Sequence, residues 1–348
     1  MHLVVLRFSA IGDVALTIPV LLAVQKKYPT TRITVVSRPF FKSLFTDLGF
    51  DFLPADFSKK HKGFKGNLVL AKEILEKLEP THIIDLHQVL RTAIIRNYLR
   101  LKEIKTFKID KGRHDKKRLT RKKDKLRNTL LHSCERYANV FAKAGFEIDF
   151  NPQSPILPKY QNSEAEKLSR ELSAQKVQIG IAPLATHAGK IWPKEKVKQL
   201  IGHLIKQNFG VVLFGGPSDI EQLNKLKEEN SNVTILAGRF NFSGEIAFMR
   251  HLEAMVSMDS SNMHLASLAG IPVVSIWGAT HWQTGFYALG KNENLRTEIP
   301  ETELDCRPCS VFGNKPCFRG DYACMQNISS NMAWKKISLA IKSSNHEA

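Results

Sequence analysis

Short apolar runs alternate with amphipathic stretches along most of the chain. In the first half, the apolar runs that predict strands are LVVLRF (3–8), ITVVSR (33–38), HIIDLH (82–87) and TFKI (106–109). In the second half they are VQIGIAP (177–183), GVVLFGG (210–216), VTILAG (233–238), MVSMDSS (255–261) and IPVVSIWG (271–278). Because helical patterns of about 10–15 residues separate these runs, the order favours parallel sheets covered by helices on both faces.

The alternation stops at one point near the middle of the chain. The stretch 151–163 contains three prolines and little periodicity, so it is predicted to be an interdomain linker. We therefore expect two Rossmann-like α/β domains, 1–158 and 159–325, that face each other across a cleft. A last apolar pattern predicts a carboxyl-terminal helix within 326–348.

Composition narrows the class of protein. The chain has 348 residues, of which 43% are hydrophobic and 24% are charged, and this excludes global disorder. No apolar run approaches the ~18 residues of a membrane-spanning helix. The opening MHLVVLRFSAIGD lacks the features of an export signal, so we expect a cytoplasmic protein.

The net charge of +18 is concentrated in one segment. Residues 102–127 contain 13 Lys and Arg against four Asp and Glu. Such a segment is either a solvated face without a specific partner or an attractor for a polyanion. Nucleic acid is disfavoured because Phe107 is the only aromatic residue in the segment. We expect an anionic acceptor or a peripheral position on an anionic inner-membrane surface.

In open parallel sheets, ligands bind where strands end and loops enter helices. The first such loop, SAIGDVALTIP (9–19), lacks G-x-G-x-x-G, which disfavours an NAD-dependent oxidoreductase. It does carry Asp13, which is either a helix cap or a carboxylate that faces a ligand.

Three loops of the second half are candidates for anion binding. Lys190 precedes Trp192 and Pro193 and is either a phosphate ligand or a surface lysine. Gly215 and Gly216 would allow a ligand to approach the backbone closely, although an ordinary tight turn has the same composition. A further helix begins after the pair Asp259 and Ser260, and its N-terminus would attract an anion.

Several of these strings together resemble glycosyltransferase family 9, the bacterial heptosyltransferase family of lipopolysaccharide core assembly. The strongest match is DSSNMHLASLAGIPVVSIWGATH (259–281). RFSAIGDVALTIPVL, GKIWP, FGGPSD and AGR follow the family pattern in the same order. One departure is Ser261, where the family commonly has Gly.

The resemblance implies a GT-B fold and an inverting, metal-independent transfer that requires no cofactor. It implies that a heptose moves from a nucleotide donor to a lipopolysaccharide inner-core acceptor. The family resemblance favours ADP-heptose as this donor. Asp13 would be the general base. The donor would be bound by Lys190, Gly215, Gly216, Asp259, Ser260, Ser261, Asn262, Met263 and His264. The acceptor would be bound by Gly12, Lys111, Arg113, Lys116 and Lys117.

Two alternatives to this function remain open. The same fold could use another donor sugar or another glycan or lipid acceptor, because the motifs recognise a diphosphate better than they recognise a sugar. A non-enzymatic nucleotide-binding relative, tethered through the basic segment, would also fit the sequence.

Four cysteines lie close together in the sequence, at Cys306, Cys309, Cys317 and Cys324. Their spacing is compatible with a structural zinc site, with reduced thiols or with disulfides. The fifth, Cys134, is predicted to pack as a small hydrophobic residue.

Overall fold

The computed structural model describes residues 1–300 and 302–347, with side chains described as far as residue 342. The chain forms two compact units. The first contains residues 1–111 and 131–159, and the second contains residues 112–130 and 160–348.

The first unit is built on a parallel five-stranded sheet with the strand order β3-β2-β1-β4-β5. Its strands are β1 (His2–Leu6), β2 (Arg32–Ser37), β3 (Asp51–Pro54), β4 (His82–Asp85) and β5 (Lys105–Lys108). The apolar pattern predicted four of them. β3 was missed because this short edge strand is only partly buried and has no continuous apolar run.

Helices fill the connections of the first half. They are α1 (Ile11–Ala15), α2 (Ile18–Lys27), α3 (Ser43–Thr46), α4 (Gly63–Leu78), α5 (Leu90–Arg100), α6 (Arg113–Leu119) and α7 (Ser133–Lys143). Of these, α6 belongs to the second unit. In the first unit, side chains of β1 and β4 pack with α4 and α5 in one core cluster that includes Val4, Ile83, Leu70 and Ile95.

The second unit has a parallel six-stranded sheet with the strand order β11-β10-β9-β6-β7-β8. Its strands are β6 (Gln178–Ala182), β7 (Gly210–Leu213), β8 (Val233–Ile235), β9 (Ala254–Met258), β10 (Val273–Trp277) and β11 (Arg296–Glu298). The sequence predicted the first five of these. β11 was missed because its three residues, Arg-Thr-Glu, show no apolar pattern.

The remaining helices cover this sheet. They are α8 (Ser163–Gln175), α9 (Lys194–Lys206), α10 (Ile220–Lys227), α11 (Phe242–Met249), α12 (Ser261–Ala269), α13 (Ala323–Gln326) and α14 (Ser330–Glu347). Helices α9 and α14 pack with the sheet in one core that includes Trp192, Leu200 and Ile337. Within the described residues, none of the helices is both long and apolar enough to cross a membrane.

The basic segment differs from its expected placement. Residues 102–127 were assigned to the first domain, and β5 does lie in the first sheet, but residues 112–130 group with the second unit. There the Lys125 ammonium donates to the carbonyls of Asp305 and Arg307, each at 2.5 Å. The Leu130 N–H donates to the Gln283 carbonyl at 2.9 Å. A charge count alone cannot show which sheet a connecting segment joins.

Candidate functional site

Asp13 lies on α1, immediately after β1, at the carboxyl edge of the first sheet. Its carboxylate is 2.5 Å from the Arg7 guanidinium, and its side chain is 29% exposed whereas that of Arg7 is only 6% exposed. The carboxylate is therefore fixed on one side by a buried cation and remains accessible on another. This arrangement suits a group that must meet a ligand in a defined orientation.

Arg7 is held in place by several partners. Its guanidinium donates to the Leu86 carbonyl at 2.5 Å and lies 5.8 Å from the centre of the Tyr137 ring. Burial opposes the charge of Arg7, but the Asp13 carboxylate outweighs that effect, and the pKa of Arg7 is raised. The Tyr137 hydroxyl donates to the Asp13 carbonyl at 3.2 Å, which ties α1 to α7. Arg7 was not predicted as a site residue, because its only signal in the sequence is a charge inside the run LVVLRF.

His87 follows β4, the strand beside β1, and was not predicted as a site residue. Its Nε2 is 3.3 Å from the Ser9 hydroxyl, and its ring packs edge-on against Phe8 with centroids 5.7 Å apart. Burial, assisted by the Arg7 cation, lowers the pKa of His87 to about 3. The imidazole is therefore neutral at physiological pH.

A second carboxylate lies close by but has a structural role. One Asp85 oxygen accepts the backbone N–H groups of His87 and Gln88, at 2.9 and 2.8 Å. Its other oxygen pairs with Arg96, and the Asp85 side chain is fully buried. Because Asp85 is inaccessible and its oxygens are engaged, Asp13 is the better candidate for a base.

The five residues expected at an acceptor site are distributed over both units. Gly12 is buried on α1, and Lys111 is half-buried in the first unit. Arg113, Lys116 and Lys117 all lie on α6 in the second unit. Lys116 is 8% exposed, and its ammonium lies 3.9 Å from the centre of the Phe286 ring, so this cation has a packing role. Arg113 and Lys117 are exposed.

In the second unit, the structure brings together two residues from separate sequence motifs. Lys190 ends a 3₁₀ turn that follows β6, and Asp259 follows β9, the neighbouring strand. The Lys190 ammonium is 2.8 Å from the Asp259 carboxylate, and their side chains are 16% and 8% exposed. A lysine held in this way is a positioned charge rather than a mobile surface cation.

Close packing of glycines fixes the position of Lys190. A Cβ on Gly189 would lie 2.8 Å from the Ala279 side chain, and one on Gly313 would lie 2.7 Å from the Lys190 side chain. The Gly189 carbonyl also accepts the Ala279 N–H at 2.9 Å. Gly189 was not singled out in the sequence, because one glycine between Ala and Lys carries no packing signal.

Helix α12 begins directly beside the Lys190–Asp259 pair, after Ser260. Among the described residues, the Ser260 side chain makes no capping hydrogen bond to this helix, and its hydroxyl lies 3.2 Å from that of Ser257. The first-turn N–H groups of Ser261, Asn262 and Met263 have no partner within the helix. They form an anion-attracting edge, whereas the side chains of Met263 and His264 are buried and pack inward.

The Gly215–Gly216 turn follows β7, on the other side of β6 from β9. The Gly216 N–H donates to the Asp219 carboxylate at 2.8 Å. A Cβ on Gly215 would lie 3.0 Å from the same carboxylate and 3.2 Å from Leu223. Three adjacent strands, β9, β6 and β7, thus carry the candidate donor residues to one edge of the sheet.

The four clustered cysteines do not fit a preformed zinc site. Among the described residues, no three His, Cys, Asp or Glu side chains are arranged to hold a metal ion. Burial raises the pKa of the Cys306 and Cys309 thiols and raises that of Cys324 to about 11. The described cysteines are free thiols, and Cys134 is fully buried as predicted.

Two parallel-sheet units, each with candidate polar residues at the carboxyl ends of its strands, form the α/β architecture of the GT-B fold. The family model "Glycosyltransferase family 9 (heptosyltransferase)" matches residues 70–310, more than two thirds of the chain. The chain therefore belongs to glycosyltransferase family 9, as its motifs indicated.

Individual relatives are distant. Lipopolysaccharide heptosyltransferase 3 of Escherichia coli K12 is 30% identical over 156 residues, which are 43% of this chain and 44% of that relative. The match thus spans less than half the length of this curated protein.

Two solved structures share the fold over almost the whole chain. The glycosyltransferase of family 9 from Veillonella parvula gives a TM-score of 0.73 at 19% identity and covers 98% of this chain and 97% of its own. The E. coli heptosyltransferase WaaC, solved with ADP-2-deoxy-2-fluoro heptose, gives a TM-score of 0.65 at 18% identity. This match covers 97% of this chain and 99% of WaaC.

Proposed function

We propose that the protein transfers a heptose, or a related sugar, from a nucleoside diphosphate donor to an acceptor of the lipopolysaccharide inner core. The observation that carries the proposal is the buried Lys190–Asp259 pair beside the N-terminus of α12. The Lys190 ammonium has three donor protons, so it can bind an anion as well as Asp259, and the backbone N–H groups of α12 add further donors at the same edge of the second sheet. ADP-heptose is the first donor to test, because a solved structure of the same fold contains an ADP-heptose analogue.

In this proposal Asp13 removes the proton from the acceptor hydroxyl as that oxygen attacks the anomeric carbon. The bond from the anomeric carbon to the diphosphate breaks, and the diphosphate leaves with the bonding electrons, so the configuration inverts. The ion pair with Arg7 keeps the Asp13 carboxylate oriented for this step.

The leaving diphosphate accumulates negative charge as the bond breaks. Lys190 and the first-turn N–H groups of α12 are positioned to stabilise it, and Asp259 holds the Lys190 ammonium in place. We propose that these groups suffice without a divalent cation and that the reaction needs no other cofactor. We also propose a peripheral position at the cytoplasmic face of the inner membrane.

The first experiment is thermal unfolding with ADP, GDP, UDP, dTDP and NAD, each with and without EDTA. A ligand at about 100 times its dissociation constant adds about 2.7 kcal/mol to the native state, which raises Tm by several degrees. Selective stabilisation by ADP that EDTA does not change would support the donor site. Stabilisation by NAD alone, or by none of the diphosphates, would contradict it.

Catalysis is then tested by heptose transfer from ADP-heptose with the Asp13→Asn variant. A general base contributes about 10²–10⁴-fold to rate, so the turnover should fall by that factor while ADP still raises Tm. Full binding without turnover in the parent protein would favour the non-enzymatic nucleotide-binding alternative. Turnover with another nucleotide sugar only would favour the alternative donor.

A further inference from the structure

The basic segment and the cysteine-containing loop form a surface that the proposed reaction does not explain. Residues 113–127 carry nine Lys and Arg against two Asp, and they belong to the second unit together with residues 306–324. We refer to residues 113–127 and 312–319 together as the basic face.

Some cations of the segment point inward and anchor it. The Lys116 ammonium lies over the Phe286 ring, and the Lys125 ammonium binds the carbonyls of Asp305 and Arg307. The Gln283 side chain donates to the Arg127 carbonyl at 3.1 Å. These contacts hold the segment against the rest of the second unit.

The outward side of the segment presents cations. The exposed ones in the segment are Arg113, Lys117, Arg121, Lys122, Lys123 and Arg127. Lys315 and Arg319, on the neighbouring loop, are exposed as well. Acidic residues are few here. Residues 113–127 contain Asp115 and Asp124, residues 312–319 contain none, and Asp321 lies two residues further on.

Two aromatic side chains project from the same face. Phe312 is 55% exposed and Phe318 is 56% exposed. The Lys122 ammonium lies 4.8 Å from the centre of the Phe318 ring, and the Phe312 ring centre is 6.0 Å from that of Phe286. Exposed phenylalanines beside clustered cations have a specific use, because the rings partition into the interfacial region of a bilayer while the cations meet anionic headgroups.

We propose that the basic face is a docking surface for an anionic lipid bilayer. A nucleic acid would need open aromatic platforms for base stacking, but Lys122 already covers a face of Phe318, and Phe312 packs against Phe286. A bilayer needs only the exposed edges of these rings. The inference extends the proposed function, whose acceptor is a glycolipid, but it does not depend on nucleotide or on Asp13.

The test is sedimentation of the full chain with vesicles at physiological ionic strength, without nucleotide. One set contains phosphatidylcholine alone, and the other contains equal parts of phosphatidylcholine and phosphatidylglycerol. The parent protein should bind the second set and not the first. The variant K117E/R121E/K122E/K123E should bind at least about 100-fold more weakly, because each cation near an anionic surface contributes about fivefold.

A matched control has the same change in net charge elsewhere on the second unit. The exposed residues Lys194, Lys206, Arg250 and Lys335 serve this purpose, and K194E/K206E/R250E/K335E should retain most of the binding. The variant F312S/F318S keeps all charges and should weaken binding in a manner that added salt does not reproduce. If the charge variant fails to fold, F312S/F318S still tests whether this surface binds the bilayer.

Equal losses in the two charge variants would overturn the proposal, because they would show attraction by net charge alone. Equal binding to both vesicle sets, or stronger binding to a single-stranded RNA oligomer than to the anionic vesicles, would also overturn it. Asp13→Asn should bind vesicles like the parent. If that variant still transfers heptose, the proposed mechanism fails while the vesicle result stands independently.

Discussion

Breaking the Arg7–Asp13 ion pair should have very different costs depending on which partner is removed. The Arg7 side chain is almost fully buried, whereas the Asp13 side chain is 29% exposed to solvent. Asp13→Asn leaves a buried guanidinium without its principal counter-charge. Arg7→Met leaves a carboxylate that water can still reach, and the Met side chain fills part of the vacated volume.

The magnitude follows from these environments. Removing one partner of a buried pair costs about 3–5 kcal/mol when the remaining charge is uncompensated. In Asp13→Asn, the Leu86 carbonyl and the nearby Asp85 still stabilise the Arg7 guanidinium. The loss of unfolding free energy in this variant should therefore be near the lower end of that range, at about 3 kcal/mol. Arg7→Met should cost about 1–2 kcal/mol, mainly through lost packing and the lost bond to Leu86.

The assay is equilibrium urea unfolding of the parent, both single variants and the double variant R7M/D13N. The double variant should be destabilised by less than the sum of the single changes. In that variant Arg7→Met removes the guanidinium that Asp13→Asn alone leaves without its counter-charge. Tyr137→Phe serves as a control, because it loses only the hydroxyl contact to the Asp13 carbonyl.

Two results would refute this account. One is a larger loss in Arg7→Met than in Asp13→Asn, which would show that packing of Arg7 outweighs its charge. The other is additivity of the two changes, which would show that the ions do not interact measurably. The unfolding curves also show under which conditions Asp13→Asn is folded. A loss of turnover in this variant can be assigned to catalysis only under those conditions.

Three further predictions concern other charged and titratable groups. Lys190→Ala should weaken ADP binding about tenfold or more, measured by calorimetry, whereas Lys194→Ala on the exposed start of α9 should not. Burial raises the pKa of Glu245 to about 8, so the folded state binds more protons than the unfolded state and stability falls as pH rises from 4.5 through 8. Glu245→Gln should therefore gain up to a few kcal/mol relative to the parent at pH 9 and little at pH 4, and an equal effect at both would contradict the burial argument. The lowered pKa of His87 has the opposite consequence, since the unfolded state binds the extra proton, and stability should fall as pH decreases from 6.5 towards 3. His87→Gln should flatten that acid-side loss in thermal unfolding scans, and an unchanged slope would show that His87 is not the responsible group.

The sequence alone determined the fold class and most of the strands. Parallel strands buried on both faces appear as continuous apolar runs, and this is why all seven interior strands of the two sheets were predicted. The edge strands β5 and β8 were predicted as well. The two that were missed, β3 and β11, lie at sheet edges. An edge strand is partly exposed and pairs on one side only, so its residues need no apolar run.

The sequence also identified the loops that carry Asp13, Lys190 and Asp259, because ligand-binding loops of parallel sheets follow strands in a regular way. It could not show that Lys190 and Asp259 form an ion pair, since their separation in the chain is large and the contact depends on strand order. His87 was missed for the same reason, because its contacts with Ser9 and Phe8 cross from β4 to β1. Arg7 lies only six residues before Asp13, but a single charge inside an apolar run does not show that the two side chains meet.

The tertiary structure alone decided where the basic segment belongs. Its charge was evident from the sequence, but residues 112–130 join the second unit through cation–ring and backbone contacts to Phe286, Gln283 and the loop at Asp305. Charge is a property of composition and can be counted along the chain. Which cations become anchors and which stay exposed depends on surfaces that exist only after folding, because those surfaces are assembled from residues more than 150 positions away.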